Sequence, residues 1–77
     1  MTDAFVHVHV DPGVAREAAE SIAALDHVAA AHLVTGDYDI VAQVELDDHD
    51  AIPDVVARDV HGVPGVLDTV TNVAFEP

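Results

Sequence analysis

From Ala4 to Val10 the side chains alternate, with Val6, Val8 and Val10 set against Phe5, His7 and His9. A period of two rich in β-branched residues predicts a strand. Asp11-Pro12-Gly13 breaks the pattern, and Asp11 is expected to cap a helix whose first turn tolerates Pro12. Val14, Ala18, Ile22 and Leu25 then recur at helical spacing, with Arg16, Glu17 and Glu20 on the opposite face. Arg16 and Glu20 are four apart, a spacing that allows a weak pair in the less favourable order. A second apolar run covers Val28-Ala29-Ala30-Ala31-His32-Leu33-Val34, ended by Thr35-Gly36-Asp37-Tyr38-Asp39, whose residue types favour a turn. Ile40 to Leu46 resumes as a third strand. Asp47-Asp48-His49-Asp50 supplies a cap and first-turn acids for a second helix. Pro53 lies near its start, and Ile52, Val55, Val56 and Val60 form its stripe. His61-Gly62-Val63-Pro64-Gly65 terminates that helix, and Val66 to Phe75 reads as the last strand.

The order is β-α-β-β-α-β, with a faint repeat that matches His27-Val28 to Gly65-Val66 at the start of each closing strand. Two such units with right-handed crossovers predict an α+β, ferredoxin-like fold: a four-stranded antiparallel sheet with both helices on one face. Residues 1–77 form one expected domain, since no linker or low-complexity stretch interrupts them. The face away from the helices should be polar in a monomer. Strand two is instead apolar at nearly every position, and Gln43 and Glu45 are the polar interruptions of strand three. A sheet apolar on both faces but covered on one predicts a homodimer joined sheet to sheet.

Composition sharpens this expectation. A 77-residue chain without cysteine has no disulfide or thiolate-bound metal to support a small core, which leaves a partner subunit. Although 51% of the residues are hydrophobic, no run approaches the roughly 18 needed to span a bilayer. Met1-Thr2-Asp3-Ala4 has no basic flank or apolar core of a secretory signal, so a cytoplasmic location without membrane contact is expected. Charge is the outlying property: 15 acids against Arg16 and Arg58, with a net charge of −13. Such a surface repels itself in dilute salt but is screened near 1 M, where the Debye length is about 3 Å. The expected setting is a salt-rich cytoplasm. Direct contact with nucleic acid is not expected, because no basic patch exists to meet phosphates.

Several stretches carry a resemblance. The opening strand Ala4-Phe5-Val6-His7-Val8, Pro12-Gly13 before the first helix, Thr35-Gly36-Asp37-Tyr38-Asp39-Ile40 between strands two and three, and Gly65-Val66 and Thr71 in the second half resemble the ligand-binding (RAM) domain of the Lrp/AsnC transcriptional regulators, along the whole length. The Gly-Asp-Tyr-Asp turn is the most specific of these. The resemblance implies sheet-to-sheet dimers, assembly of dimers into rings, and a small effector, often an amino acid, bound between dimers near the turn. It places the ligand-binding residues at Gly36, Asp37, Tyr38 and Asp39, with Thr71 a further contributor. The family's regulators carry a helix-turn-helix before this domain, whereas here Met1 leads into the first strand. The implied role is that of a stand-alone module which senses a ligand or co-assembles with full-length relatives.

The turn residues suit that role on their own chemistry. Gly36 can adopt backbone angles closed to other residues and offer its N–H to a carboxylate. Asp37 or Asp39 can accept hydrogen bonds from an ammonium group, and Tyr38 can wall a pocket. The same residue types also shape ordinary hairpins. His7 and His9, two apart on a strand, share a face and have the geometry of two imidazole ligands, but two fall short of a metal's full set. No metal or other cofactor is expected, and these rings are expected to fill the sheet interface. Catalysis is not expected either, since Ser21 in the first helix has no evident base. The competing readings are a small ferredoxin-like enzyme of the cofactor-free monooxygenase or isomerase type, disfavoured by a lining of only Phe5, Tyr38 and Phe75, and a structural or metal-binding oligomer.

Overall fold

A computed structural model describes residues 3–77; Met1 and Thr2, part of the stretch read for a leader, lie outside the described residues. The elements run β1 (Ala4–Val10), α1 (Ala15–Ala23), β2 (Val28–Leu33), β3 (Ile40–Val44), α2 (Ile52–Val55) and β4 (Val66–Val73). A single 3-10 turn leads into each helix, Pro12–Val14 before α1 and His49–Ala51 before α2, and α2 continues as a π-helical turn over Val56–Val60. The strands form one antiparallel sheet in the order β2-β3-β1-β4. This is the expected ferredoxin-like topology, with its third and fourth strands ending two residues earlier than the apolar pattern suggested.

Alternation along β1 and β3 sets the two faces. Ala4, Val6, Val8 and Val10 of β1 and Ile40, Ala42 and Val44 of β3 are buried toward the helices. Ala18, Ala19 and Ile22 of α1 and Ile52, Val56 and Val60 of the second helical segment complete this core. Burying a Val or Ile side chain contributes about 1.5–3 kcal/mol, so the core face is where this small fold gains most of its stability. The predicted helical stripes face this core, although Val14 and Leu25, at the two ends of the first, lie just outside α1 and are half-buried.

Two local expectations are corrected. Asp11 makes no side-chain cap, because its backbone carbonyl already takes the Val14 N–H (3.1 Å) in the 3-10 turn. Asp48 does cap, accepting from Asp50 N–H at 3.0 Å. Arg16 and Glu20 form no ion pair within 4.0 Å; among the described residues the close arginine pair is Arg58 with its neighbour Asp59, at 3.0 Å.

The outer sheet face also differs from expectation. Strand pairing places Phe5, His7 and His9 of β1 beside Asn72, Val70 and Asp68 of β4, and Val41 and Gln43 of β3 beside His32 and Ala30 of β2. This face mixes apolar and polar side chains instead of being uniformly apolar. The alanine run of β2 hid the alternation, and β2 proves to be an edge strand with no fully buried residue. Among the described residues, no helix is long and apolar enough to cross a membrane.

Candidate ligand-binding site

Gly36 begins the turn between β2 and β3 with φ +116°, a conformation costly for any residue with a side chain, and a Cβ built there would meet nothing within 4 Å. The positive φ therefore serves the turn itself, and the space around Gly36 is open. Asp37 is exposed. Tyr38 folds back over the outer sheet face, its ring centroid 5.3 Å from that of His7 and 4.5 Å from that of His9. These two histidines were legible as same-face neighbours, but their packing against Tyr38 joins positions some thirty residues apart and no local pattern encodes it.

Asp39 ties the turn to the sheet. Its backbone N–H donates to Val8 O (3.0 Å), its carbonyl accepts from Val34 N–H (2.9 Å), and its Oδ2 accepts from Val10 N–H at 3.0 Å. The Val10 bond lies where β1 shifts register against β4, between His9 and Val10. His9 Nδ1 stands 3.8 Å from the same carboxylate, which is 44% exposed. Asp39 thus performs a structural task with one oxygen while the carboxylate stays open to solvent. A charged hydrogen-bond donor can approach it there.

Thr71 is not brought to this group. It pairs with Val6, whose side chain is buried toward the helices, so Thr71 points to the helix side while Tyr38 and Asp39 lie on the other. The fold therefore gathers Gly36, Asp37, Tyr38 and Asp39 with His7 and His9, and leaves Thr71 across the sheet. Among the described residues no group of three or more His, Asp or Glu side chains could hold a metal ion.

At the opposite end of β1 a second aspartate joins two segments. Asp3 Oδ2 accepts from Leu46 N–H at 2.8 Å and Oδ1 pairs with His49 Nε2 at 3.1 Å. The Leu46 hydrogen bond first, and His49 second, hold the Asp3 carboxyl below its ordinary value. The His49 ring in turn meets Phe75 edge-on at 5.8 Å. Beside this cluster lies an open cavity of about 670 Å³ lined by Asp3, His27, Glu45, Leu46, Asp47 and Asp48.

The chain is 35% identical over 77 residues to an uncharacterized HTH-type transcriptional regulator of Pyrococcus horikoshii, covering 96% of this chain and 51% of that protein. It spans about half the length of the curated relatives it matches. A crystal structure from Thermus thermophilus superposes with a TM-score of 0.90 at 38% identity, over 100% of this chain and 96% of that one. A transcriptional regulator of Neisseria meningitidis, solved as a complex with L-Met, aligns with a TM-score of 0.82 at 25% identity, over 97% of this chain and 50% of that one. The sequence profile of the Lrp/AsnC ligand binding domain matches residues 3–77, and the chain belongs to that family.

Proposed function

We propose that this domain senses a small amino-acid effector at the Gly36–Asp39 turn and carries no catalytic activity of its own. The supporting observation is the turn itself: an open positive-φ glycine beside a half-exposed carboxylate that the sheet holds in place. Gly36 offers its N–H to the effector's carboxylate, Asp39 receives its ammonium group, and Tyr38 with His7 and His9 walls the side chain. The L-Met complex of the Neisseria relative supports the same class of ligand. Thr71, on the other side of the sheet, has no direct part in this arrangement.

In this reading the outer face, with Phe5 and Val70 exposed among its histidines, joins two copies into a dimer. Dimers associate further, and full-length Lrp/AsnC regulators are the co-assembling partners. The setting is a salt-rich cytoplasm, and neither nucleic acid nor membrane contributes to the role. Light scattering should find a dimer or a multiple of it in molar salt, and the denaturation midpoint should rise from dilute to molar potassium chloride. A monomer, or a midpoint indifferent to salt, would overturn those two statements respectively.

Calorimetry against the full set of amino acids in high salt tests the site. One or more should bind, and Asp39→Asn, which keeps an acceptor for Val10 but loses the charge, should weaken binding roughly tenfold or more. Absence of binding at millimolar concentration, or unchanged affinity in Asp39→Asn, would remove the assignment.

A further inference from the structure

His9 stands against the carboxylate of the turn. Val8 is the last residue of β1 paired with β3, opposite Ile40, so His9 comes level with Asp39. Its Nδ1 lies 3.8 Å from Asp39 Oδ2, within ion-pair reach but beyond hydrogen-bond distance, and the two side chains are 40% and 44% exposed. The same oxygen accepts the N–H of Val10, the next residue along β1, at 3.0 Å. The backbone thus fixes the carboxylate, while the ring beside it has room to move.

The groups that face His9 are few. Asp39 lies on the β3 side and Asp68 opposite it on β4, His7 is two residues back on the same face, Tyr38 covers the ring, and Asp37 is exposed in the turn. Asp68 Oδ1 accepts the N–H of Thr69 at 2.9 Å, and among the described residues Asp68 forms no ion pair with His9 within 4.0 Å. Arg16 and Arg58 lie on the helical segments, across the sheet. Among the described residues, the positive charge that the protein itself can bring to Asp39 is therefore a protonated histidine, and His9 is the one within reach.

We propose that His9 is a built-in competitor for the effector's ammonium group at Asp39, so that binding expels a proton and weakens as pH falls. The proposal rests on the assignment of an amino-acid effector to the Gly36–Asp39 turn. Histidine changes charge between about pH 5 and 8, while a free amino acid keeps its own two charges. A shift of about 1 Å brings a charged His9 to charge-assisted hydrogen-bond distance of Asp39, with its ring still 4.5 Å from that of Tyr38. In acid the ammonium group then meets a carboxylate already neutralised, and above the histidine range it meets a free one. Linkage is reciprocal, so the bound ammonium disfavours charge on His9 to the same degree. Couplings of this kind usually lie between about 5-fold and 150-fold, and the exposure of both groups puts this one at the low end.

Calorimetry in molar potassium chloride, with each of the standard amino acids except histidine at about pH 5.5 and about pH 7.5, tests the proposal. Any amino acid that binds should bind about fivefold more weakly at the lower pH. Binding between these values should release protons, read from the dependence of the heat on the buffer's ionisation enthalpy. His9→Gln, uncharged throughout, should bind equally at both pH values and release none, whereas His7→Gln should keep the pH dependence. His9→Phe, which keeps a ring against Tyr38, should give the same flat profile and replaces the glutamine variant if that one fails to fold. Wild-type binding that is indifferent to pH or tighter in acid, or a pH dependence that survives in His9→Gln, would overturn the proposal and leave the site standing. Absence of binding at both pH values would instead overturn the site assignment, and this proposal with it.

Discussion

The two ends of β1 are built from the same parts and finished differently. At each, an aspartate Oδ2 accepts a backbone N–H from a distant segment and a histidine stands beside the carboxylate. Near Asp3 the histidine is at hydrogen-bond distance, 3.1 Å, and the carboxylate is 20% exposed. Near Asp39 the histidine stands off at 3.8 Å and the carboxylate is 44% exposed. A closed carboxylate contributes to stability, whereas an open one retains capacity for a further donor.

Stability and binding should therefore divide between the two ends. The largest contrast is expected from removing each carboxylate in turn. Asp3→Ala leaves Leu46 N–H and His49 without their acceptor and should lower the thermal midpoint by roughly 5 °C or more in a domain of this size. Asp39→Ala should lower it less, since water reaches the freed Val10 N–H more readily. Equal losses would show that the two ends do the same job.

Gly36→Val should come next. Forcing a β-branched residue to positive φ costs about 1–2 kcal/mol, with no clash to add because the surrounding space is open. Its effect on effector binding should exceed its effect on the midpoint, which paired calorimetry and thermal melts would read. The smallest effect concerns acid. Because Asp3 has a lowered folded-state pKa, its contribution is present above the ordinary carboxylate range and is lost as pH falls through the lowered value. The midpoint of the wild type should thus fall more steeply on acidification below that range than that of Asp3→Asn. Parallel curves would show that the Asp3 tie contributes little.

Much of this arrangement could be read from the chain. Alternation of Val6, Val8 and Val10 against Phe5, His7 and His9 gave β1 and its buried side directly, and Gly36 announced a turn that needs positive φ. What stayed hidden depended on distant partners. His49 reaches Asp3, and Val10 reaches Asp39, across separations that no local pattern encodes. The resemblance groups Thr71 with the turn, but which face of the sheet it occupies follows from its pairing with Val6, a long-range contact that the local sequence does not encode. The run Ala29-Ala30-Ala31 looked apolar on both sides because alanine carries little polarity signal, and that run became the exposed edge.

The π turn at Val56–Val60 has a consequence for the angular phase of the second helix. An α-helix advances about 100° per residue, so Val60 would stand about 40° beyond Val56 around the axis. The wider turn, with His61 N–H reaching back to Val56 O at 3.1 Å, turns less per residue and brings the two valines closer to one line above the sheet. Gly62 lets the chain leave this turn, since a Cβ there would meet the Arg58 carbonyl at 2.7 Å. A chain one residue shorter in this segment could close as unbroken α-helix and still deliver a hydrophobic side chain to the same place. The segment is thus a point at which the domain can gain or lose a residue while its sheet, and the turn at its far edge, keep their register.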